Sequence, residues 1–514
     1  MVAIDIAGFV EYITPISPHI ILIIAALIAP AIGMKSGKAT EIFMIASGLL
    51  ALAVTGYLMY DGYVGEFEGL YAFNAFTGLM ILLFLIVFIL VSMMSGSEGR
   101  KHHGEYFSLL AVSTVGMMLV CASESMISLF VGLELANITA FALVAFKKND
   151  PRSSEAAVKY LITSGLSTAL FLYGMSLVYG FTGSMNINEI IYQLASSELS
   201  LSYMVAVVVL ISGFAFKISV IPFHAWVPDV YEGAPTPVST FLAIGSKKMG
   251  FVVFFKLFLL MFVVVHYLSE LADPTSPVRI HELQWVFGML AAGTMIVGNV
   301  VAISQTSIKR MLAYSTIAQS GYLMIVLCVG TDYSMMGGLF YMIVHVFMKG
   351  GAFIVVGALA MRGIGENISD YKGLSKRAPL VAFAMMLFLF SLAGIPPLAG
   401  FDAKFILFSS AVTPDGTWIW LVAVAVINSA VSLYYYAKVV KAMYVDKGVT
   451  TERIRISSSF KVAIGICAIA VIVIGVFPGL ILELCQTAAQ SYIGGFNTWM
   501  ETHLLGPALC PTCP

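Results

Sequence analysis

The stretch FKISVIPFHAW, Phe216–Trp226, puts a lysine, a proline and a histidine straight after Tyr203–Phe216, a run without a single charge. Such a run belongs in lipid or in a buried core, and Lys217 suits neither by composition. The rest of the chain decides which. Its 514 residues are 60% hydrophobic and only 11% charged, where roughly 25% charged is ordinary for a soluble domain. Mean hydropathy is +0.95. Uncharged runs of about 20 residues, long enough to cross a bilayer, recur from end to end, so no soluble domain stands apart. The expected fold class is an all-α polytopic membrane protein. The opening residues MVAIDIAGFVEYITP carry Asp5 and Glu11 but no Lys or Arg, unlike the positive start of a cleavable signal peptide.

Fourteen hydrophobic helices are expected, centred near residues 26, 50, 83, 114, 135, 168, 212, 252, 294, 321, 347, 392, 427 and 471. The cations test that count. Of 27 Lys and Arg, nineteen fall in loops and ends after odd-numbered helices, Lys35, Arg100, Lys147, Arg310, Lys372 and Lys441 among them; one, Arg279, follows an even-numbered helix. Cationic loops stay in the cytoplasm, so both termini are expected outside, in a bacterial or archaeal cell membrane or its organellar equivalent.

The remaining seven cations are all lysines inside expected helices: Lys159, Lys217, Lys247, Lys248, Lys256, Lys349 and Lys404. Glu134, in LFVGLELANITAF, lies about ten residues from either end of its helix, hence roughly 15 Å deep. A charge there costs about 2.5–3.5 kcal/mol even on a lenient scale. A single buried lysine can be a snorkelling stem or a packing salt bridge; a set spread over several helices points to a functional polar axis. Burial lowers a lysine's pKa and raises a carboxylate's, and a nearby opposite charge reverses both shifts. A Lys–Glu pair of changing separation is therefore a proton switch, and Lys217 with Glu134 is the candidate pair. Arginine, which does not deprotonate in proteins, is absent from the set. His345 and Lys349 are four apart, on one helix face, and His224 adds a second group that titrates near neutrality; a structural histidine is the plainer reading of each. Glu155 and Lys159, also four apart, fit a surface ion pair as well as a relay. Lys248 and Lys256 carry no assignment.

Pro222 cannot donate to the carbonyl of Ile218, so the seventh helix must kink or break about one turn after Lys217. The device returns in SLAGIPPLAGFDAKF, where Pro396 and Pro397 lie between Gly394 and Gly400, with Lys404 just beyond. Interrupted helices in corresponding places suggest an internal repeat with a site at each break. Helices 4–8 and 9–13 would be the copies, and because each holds an odd number of spans the second must be inverted. The expected units are 1–104 (helices 1–3), 105–270 (first repeat), 284–445 (inverted second repeat) and 446–514 (helix 14 and a short C-terminal tail).

Five segments carry a resemblance: GLEL (Gly132–Leu135), SEAAVKYLITSGLSTALFLYG (Ser154–Gly174), VPDVYEGAPTPVSTFLAIGSKKMGF (Val227–Phe251), QTSIKRMLAYSTIAQSGYL (Gln305–Leu323) and GIPPLAGFDAKF (Gly394–Phe405). Over roughly residues 70–445 the chain resembles the N-type antiporter-like subunits of respiratory complex I and related NADH:quinone and F420H2 dehydrogenases. The resemblance implies fourteen helices, two inverted five-helix repeats with broken helices 7 and 12, and proton translocation driven by quinone-type or methanophenazine-type reduction elsewhere in the complex. It implies proton-transfer roles for Glu134, Lys217, Lys247 and Lys404, with Lys159 similar to the family's helix-6 lysine and His224 to the histidine after the helix-7 break. It also implies partners: other membrane-arm subunits, with flavin and iron–sulfur clusters in redox subunits rather than here.

No cofactor or metal site is legible in this chain itself. Cys121, Cys328, Cys467 and Cys485 lie singly in apolar segments, and Cys510 and Cys513 form one C-x-x-C with no second pair to complete a four-thiolate site. Two rival readings share the lysines: a subunit of a multi-subunit Na⁺/H⁺ antiporter driven by an ion gradient, and a membrane scaffold with a vestigial channel. Nucleic acid is not an expected partner.

Overall fold

The computed structural model describes residues 12–96, 102–196, 201–262, 281–448 and 452–500. Asp5, Glu11, Arg100, Lys101, Arg279 and the Cys510–Cys513 pair lie outside the described residues. The long helices in chain order are α1 (Ser17–Gly33), α2 (Gly37–Tyr60), α3 (Ala75–Met94), α4 (His103–Ala122), α5 (Met126–Val144) and α6 (Pro151–Thr182). Next come α7 (Leu201–Ile218), the short α8 (Trp226–Gly233), and α9 over 236–259, whose α-helical turns alternate with π turns at Leu242–Ser246 and Phe255–Leu259. Then follow α10 (His281–Ser304), α11 (Ile308–Leu323), α12 (Asp332–Ala360), α13 (Pro379–Ala393), α14 (Ala399–Ser409), α15 (Ile419–Tyr444), α16 (Ser458–Val476) and α17 (Gly479–Met500).

All fourteen expected centres fall inside helices. Among the described residues, eleven helices are long and apolar enough to cross a membrane. Local chemistry sets their starts. Asn74 caps α3, Asp150 caps α6 with Pro151 in its first turn, and Ser125–Ser128 and Thr331–Ser334 form capping boxes on α5 and α12. The helix α12 is buried along nearly all its length, whereas α1 and α6 leave most of their residues uncovered by the rest of the chain.

Small residues let backbones meet, as membrane helices require. A Cβ on Gly116 of α4 would come within 2.6 Å of the Ala136 nitrogen of α5. On Gly298 of α10 it would meet the Ala318 nitrogen of α11 at the same 2.6 Å. Both seams join a glycine to an alanine twenty residues on.

Two helices are interrupted where the prolines predict it. The first stops sooner than expected: α7 ends at Ile218, immediately after Lys217, because Ser219 takes a left-handed conformation (φ 62°) and Ile221, ahead of Pro222, is barred from the helix. The loop 219–225 contains a cis Ile221–Pro222 bond and leads into α8. The second interruption follows Gly394 (φ 89°), with a cis Pro396–Pro397 bond before α14. Gly400 is obligatory, since a Cβ there would lie 1.8 Å from the carbonyl oxygen of Ser391.

Two features depart from the sequence expectation. A short antiparallel ribbon pairs Gly65–Phe67 with Tyr71–Phe73, so the chain is not wholly α-helical. The segment read as a short tail contains the 22-residue helix α17, which packs on α3 and α12. Its polar residues interrupt the apolar run that marks a span, but Cys485, Ala488, Ala489, Tyr492, Phe496 and Met500 form a buried stripe at helical spacing. Tyr492 stacks on Phe76 with ring centres 4.6 Å apart.

Candidate functional site

Glu134 stands in the middle of α5, and its carboxylate does not touch Lys217. One of its oxygens accepts from the Thr168 hydroxyl at 2.8 Å and from the side-chain amide of Asn137 at 3.1 Å. The carbonyl end of that same amide accepts from the ammonium of Lys217. The candidate pair is thus joined through an intervening amide. Lys217 is 4% exposed and also donates to the Tyr160 hydroxyl at 3.2 Å. Tyr160 stacks on Trp226 of α8 at 4.8 Å, and the Trp226 indole N–H donates to the Phe216 carbonyl at 3.1 Å. The broken end of α7 is therefore capped by a neutral group, which leaves Lys217 free for side-chain partners. Gly250 of α9 passes close by; a Cβ there would meet Lys217 Cγ at 3.2 Å.

Lys247 is buried on α9 with its ammonium 5.7 Å from the centre of the Tyr231 ring and no hydrogen-bond partner among the described residues. Lys248, equally buried, is the next residue round the helix. Both lie close enough to His345 and Lys349 of α12 to interact electrostatically. His345 is wholly buried with neither ring nitrogen bonded. Lys349 donates to the Leu312 carbonyl at 3.1 Å and to the Ser315 hydroxyl at 2.5 Å, and Ser315 in turn bonds Tyr436 of α15. His224, half-buried in the first break, lies within electrostatic range of Lys247.

Lys404 belongs to the second break. Its ammonium is held by the carbonyls of Leu392 at 2.7 Å and Ala393 at 3.1 Å, and by the Ser429 hydroxyl at 2.8 Å. These carbonyls are the ones α13 leaves without partners by ending early, and the negative end of a helix dipole favours a cation there. Beside Lys404 opens a cavity of about 500 Å³, walled by Phe401, Phe405, Val426 and Leu433 with Ser429 at its polar edge.

Lys159 does not join this buried set. Its side chain is 45% exposed and pairs with Glu155 at 2.9 Å and Asp229 at 2.7 Å. It lies near the start of α6, which begins at Pro151, where Glu155 one turn earlier and Asp229 of α8 are within reach. Arg310 of α11 completes the surface network, bonding Asp229 at 3.0 Å and Glu232 at 2.9 Å on α8 around a cavity of about 330 Å³. Lys309, read as a loop cation, is buried against Glu366 at 2.7 Å. Lys256 pairs with Glu124 at 3.4 Å and bonds the Ser123 carbonyl. Sequence reasoning missed Asn137, Tyr160, Trp226, Ser315, Ser429 and Tyr436. A polar residue three after Glu134, one turn along the same face, was the available signal for Asn137. Among the described residues no group of three or more His, Cys, Asp or Glu converges on a metal position.

Residues 123–432 match the family described as NADH:quinone oxidoreductase/Mrp antiporter, transmembrane. The chain belongs to that family. It is similar to subunit N of the F420H2 dehydrogenase of Methanosarcina mazei, 38% identical over 486 residues that cover 92% of this chain and 95% of that one. It is 41% identical over 431 residues to subunit N of the NADH-quinone oxidoreductase of Desulforamulus reducens, covering 83% and 87% respectively. A chain of respiratory complex I from Thermus thermophilus superposes with a TM-score of 0.76 at 27% identity, over 91% of this chain and 99% of that one. A chain of the Mrp complex from Dietzia superposes with a TM-score of 0.81 over 95% and 99%; at 21% identity this is a likeness of fold. The chain is thus an integral membrane subunit of the complex I type, whose relatives work inside membrane-arm assemblies.

Proposed function

We propose that this chain is a proton-translocating subunit of a redox-driven, complex I-like pump, an N-type member of its membrane arm. It crosses the membrane fourteen times with both termini on the outer side and does no redox chemistry of its own; flavin and iron–sulfur clusters belong to partner subunits. The observation that carries the reading is the set of titratable groups running through both halves: the half-buried Glu134 and the buried Lys217, then buried Lys247, His345 and Lys349, then buried Lys404. Each can hold or release a proton; Glu134, Lys217, Lys349 and Lys404 are hydrogen-bonded to polar neighbours, whereas Lys247 and His345 have no such bond among the described residues. His224 borders the line, and Lys159 belongs to the surface network beside it. An inverted repeat of helices 4–8 and 9–13 gives the line two ends on opposite membrane faces. The paired Gly116–Ala136 and Gly298–Ala318 seams and the two interrupted helices support that repeat. Electron donor and acceptor are set by the partners: NADH or F420H2 as donor and a quinone as acceptor match what the relatives' names describe, and a methanophenazine-type acceptor is the alternative.

Gentle native purification, with mass spectrometry of the partners and an absorption spectrum for flavin and iron–sulfur, tests the reading. Co-purifying redox subunits, and acidification of proteoliposomes that depends on electron donor, are the expected result. A colourless assembly whose proton movement follows a sodium gradient would overturn it in favour of an ion-gradient antiporter.

A further inference from the structure

The Glu134–Lys217 pair contains a third member that neither charge nor motif reveals. Asn137 lies one helical turn beyond Glu134, 5% exposed, between the carboxylate and the ammonium. Its amide nitrogen donates to Glu134 at 3.1 Å while its carbonyl oxygen accepts from Lys217. Both partners fix this orientation: a carboxylate accepts only, and an ammonium donates only. Among the described residues Glu134 and Lys217 share no direct ion pair, so their electrostatic coupling in this state passes through the amide.

We propose that Asn137 is the positioning residue of this pair, a neutral spacer that binds both charges at once and holds them apart. The proposal rests on the reading of Glu134 and Lys217 as a proton switch, and it specifies how the switch is set. A direct carboxylate–ammonium contact at this depth would be stabilised by several kcal/mol in the low-dielectric interior, before desolvation is counted, and would hold the proton on the lysine. The amide offers each partner one hydrogen bond instead. It neither donates to the ammonium nor accepts from the carboxylate, and it does not titrate. It therefore keeps the pair coupled yet separable, which a switch needs and a structural salt bridge does not.

The surroundings agree. Glu134 has a second donor in Thr168, and Lys217 a second acceptor in Tyr160. Each charge keeps a partner when the amide turns away. Tyr160 is itself stacked on Trp226 across the break, so a shift of α8 would reach Lys217 through Tyr160.

Three variants of the intact complex in proteoliposomes test the assignment: Asn137→Asp, Asn137→Leu and Asn137→Ser, with Glu134→Gln as reference and subunit content checked for each. Aspartate keeps the size and the acceptor toward Lys217 but removes the donor toward Glu134 and adds a charge beside the ammonium. Leucine removes both bonds, and serine keeps one donor and one acceptor on a single oxygen. Protons moved per electron should fall about tenfold for aspartate and leucine, the scale of a lost charged hydrogen bond. Serine should recover at least part of the loss. Normal coupling in Asn137→Asp, while Glu134→Gln is impaired, overturns the assignment and leaves the pump reading standing. Normal coupling in both removes the switch as well. Should leucine prevent assembly, the near-isosteric aspartate decides, because a merely space-filling role tolerates it.

Discussion

The two interrupted helices solve the same problem in opposite ways. At the first break the carbonyl of Phe216 is satisfied by neutral donors, the Ser219 N–H and the Trp226 indole, and Lys217 is left to side-chain partners, Asn137 and Tyr160. At the second the freed carbonyls of Leu392 and Ala393 take Lys404 itself. One lysine is held only by side chains that can rotate away, the other by two backbone carbonyls that cannot, with the Ser429 hydroxyl beside them. No acidic side chain pairs with Lys404 among the described residues, whereas Glu134 stands one amide from Lys217. A lysine meant to exchange its proton during a cycle suits the first arrangement; a fixed station at the end of a path suits the second.

The largest effect should follow from changes that break the exchangeable side. Lys217→Arg keeps the charge and loses the titration, and Lys217→Ala loses both. Either should cut protons moved per electron by roughly tenfold or more in a complex that still assembles. Normal coupling in the arginine variant would end the distinction between the two lysines. Next in size is stability. Lys404→Met orphans the buried Leu392 carbonyl, worth about 1–3 kcal/mol, and leaves the Ala393 carbonyl only the Ser429 hydroxyl, so it should lower the unfolding temperature of the purified complex more than Lys217→Met does. Equal losses would mean that Lys404 is not anchored as described. A smaller change is expected for Trp226→Phe, which keeps the stack on Tyr160 and removes the cap on Phe216, costing about 1 kcal/mol. An additional drop in coupling there would tie the cap to the switch. Smallest of all, Lys159→Met should leave protons per electron where they were, since its ammonium sits among surface acids; a strong coupling defect would return it to the proton path.

The amino-acid order made much of this legible, for identifiable reasons. Helix positions followed from uncharged runs, because lipid permits little else, and the interruptions followed from prolines that cannot donate. Where the chain really stops being helical was less visible: α7 ends at Ile218, just before Ser219, whose left-handed backbone has no sequence signature, and before Pro222 is reached. Buried lysines were easy to find because a charge in an apolar run is conspicuous. Their partners were not, since Asn137, Tyr160 and Ser429 are ordinary residues made important only by packing. For Lys159 the spacing from Glu155 left a surface ion pair and a relay equally open, and the structure shows the ion pair, since four-residue spacing gives contact but not depth. The helix α17 was missed because its apolar stripe is one-sided, and a search for continuous hydrophobicity does not see a stripe.

Thr294 has a consequence beyond its own two bonds. Its hydroxyl accepts the backbone N–H of Ile221 at 3.2 Å and donates to Leu290 at 2.6 Å within α10. The loop of the first break is thus tethered to the second half of the chain, and on the other side of that loop Arg310 clasps α8 from α11. The segment 219–233 is thus held near both of its ends by helices of the other part of the chain, α10 and α11. Any tilt of α10 against α11 would strain that segment at both anchors.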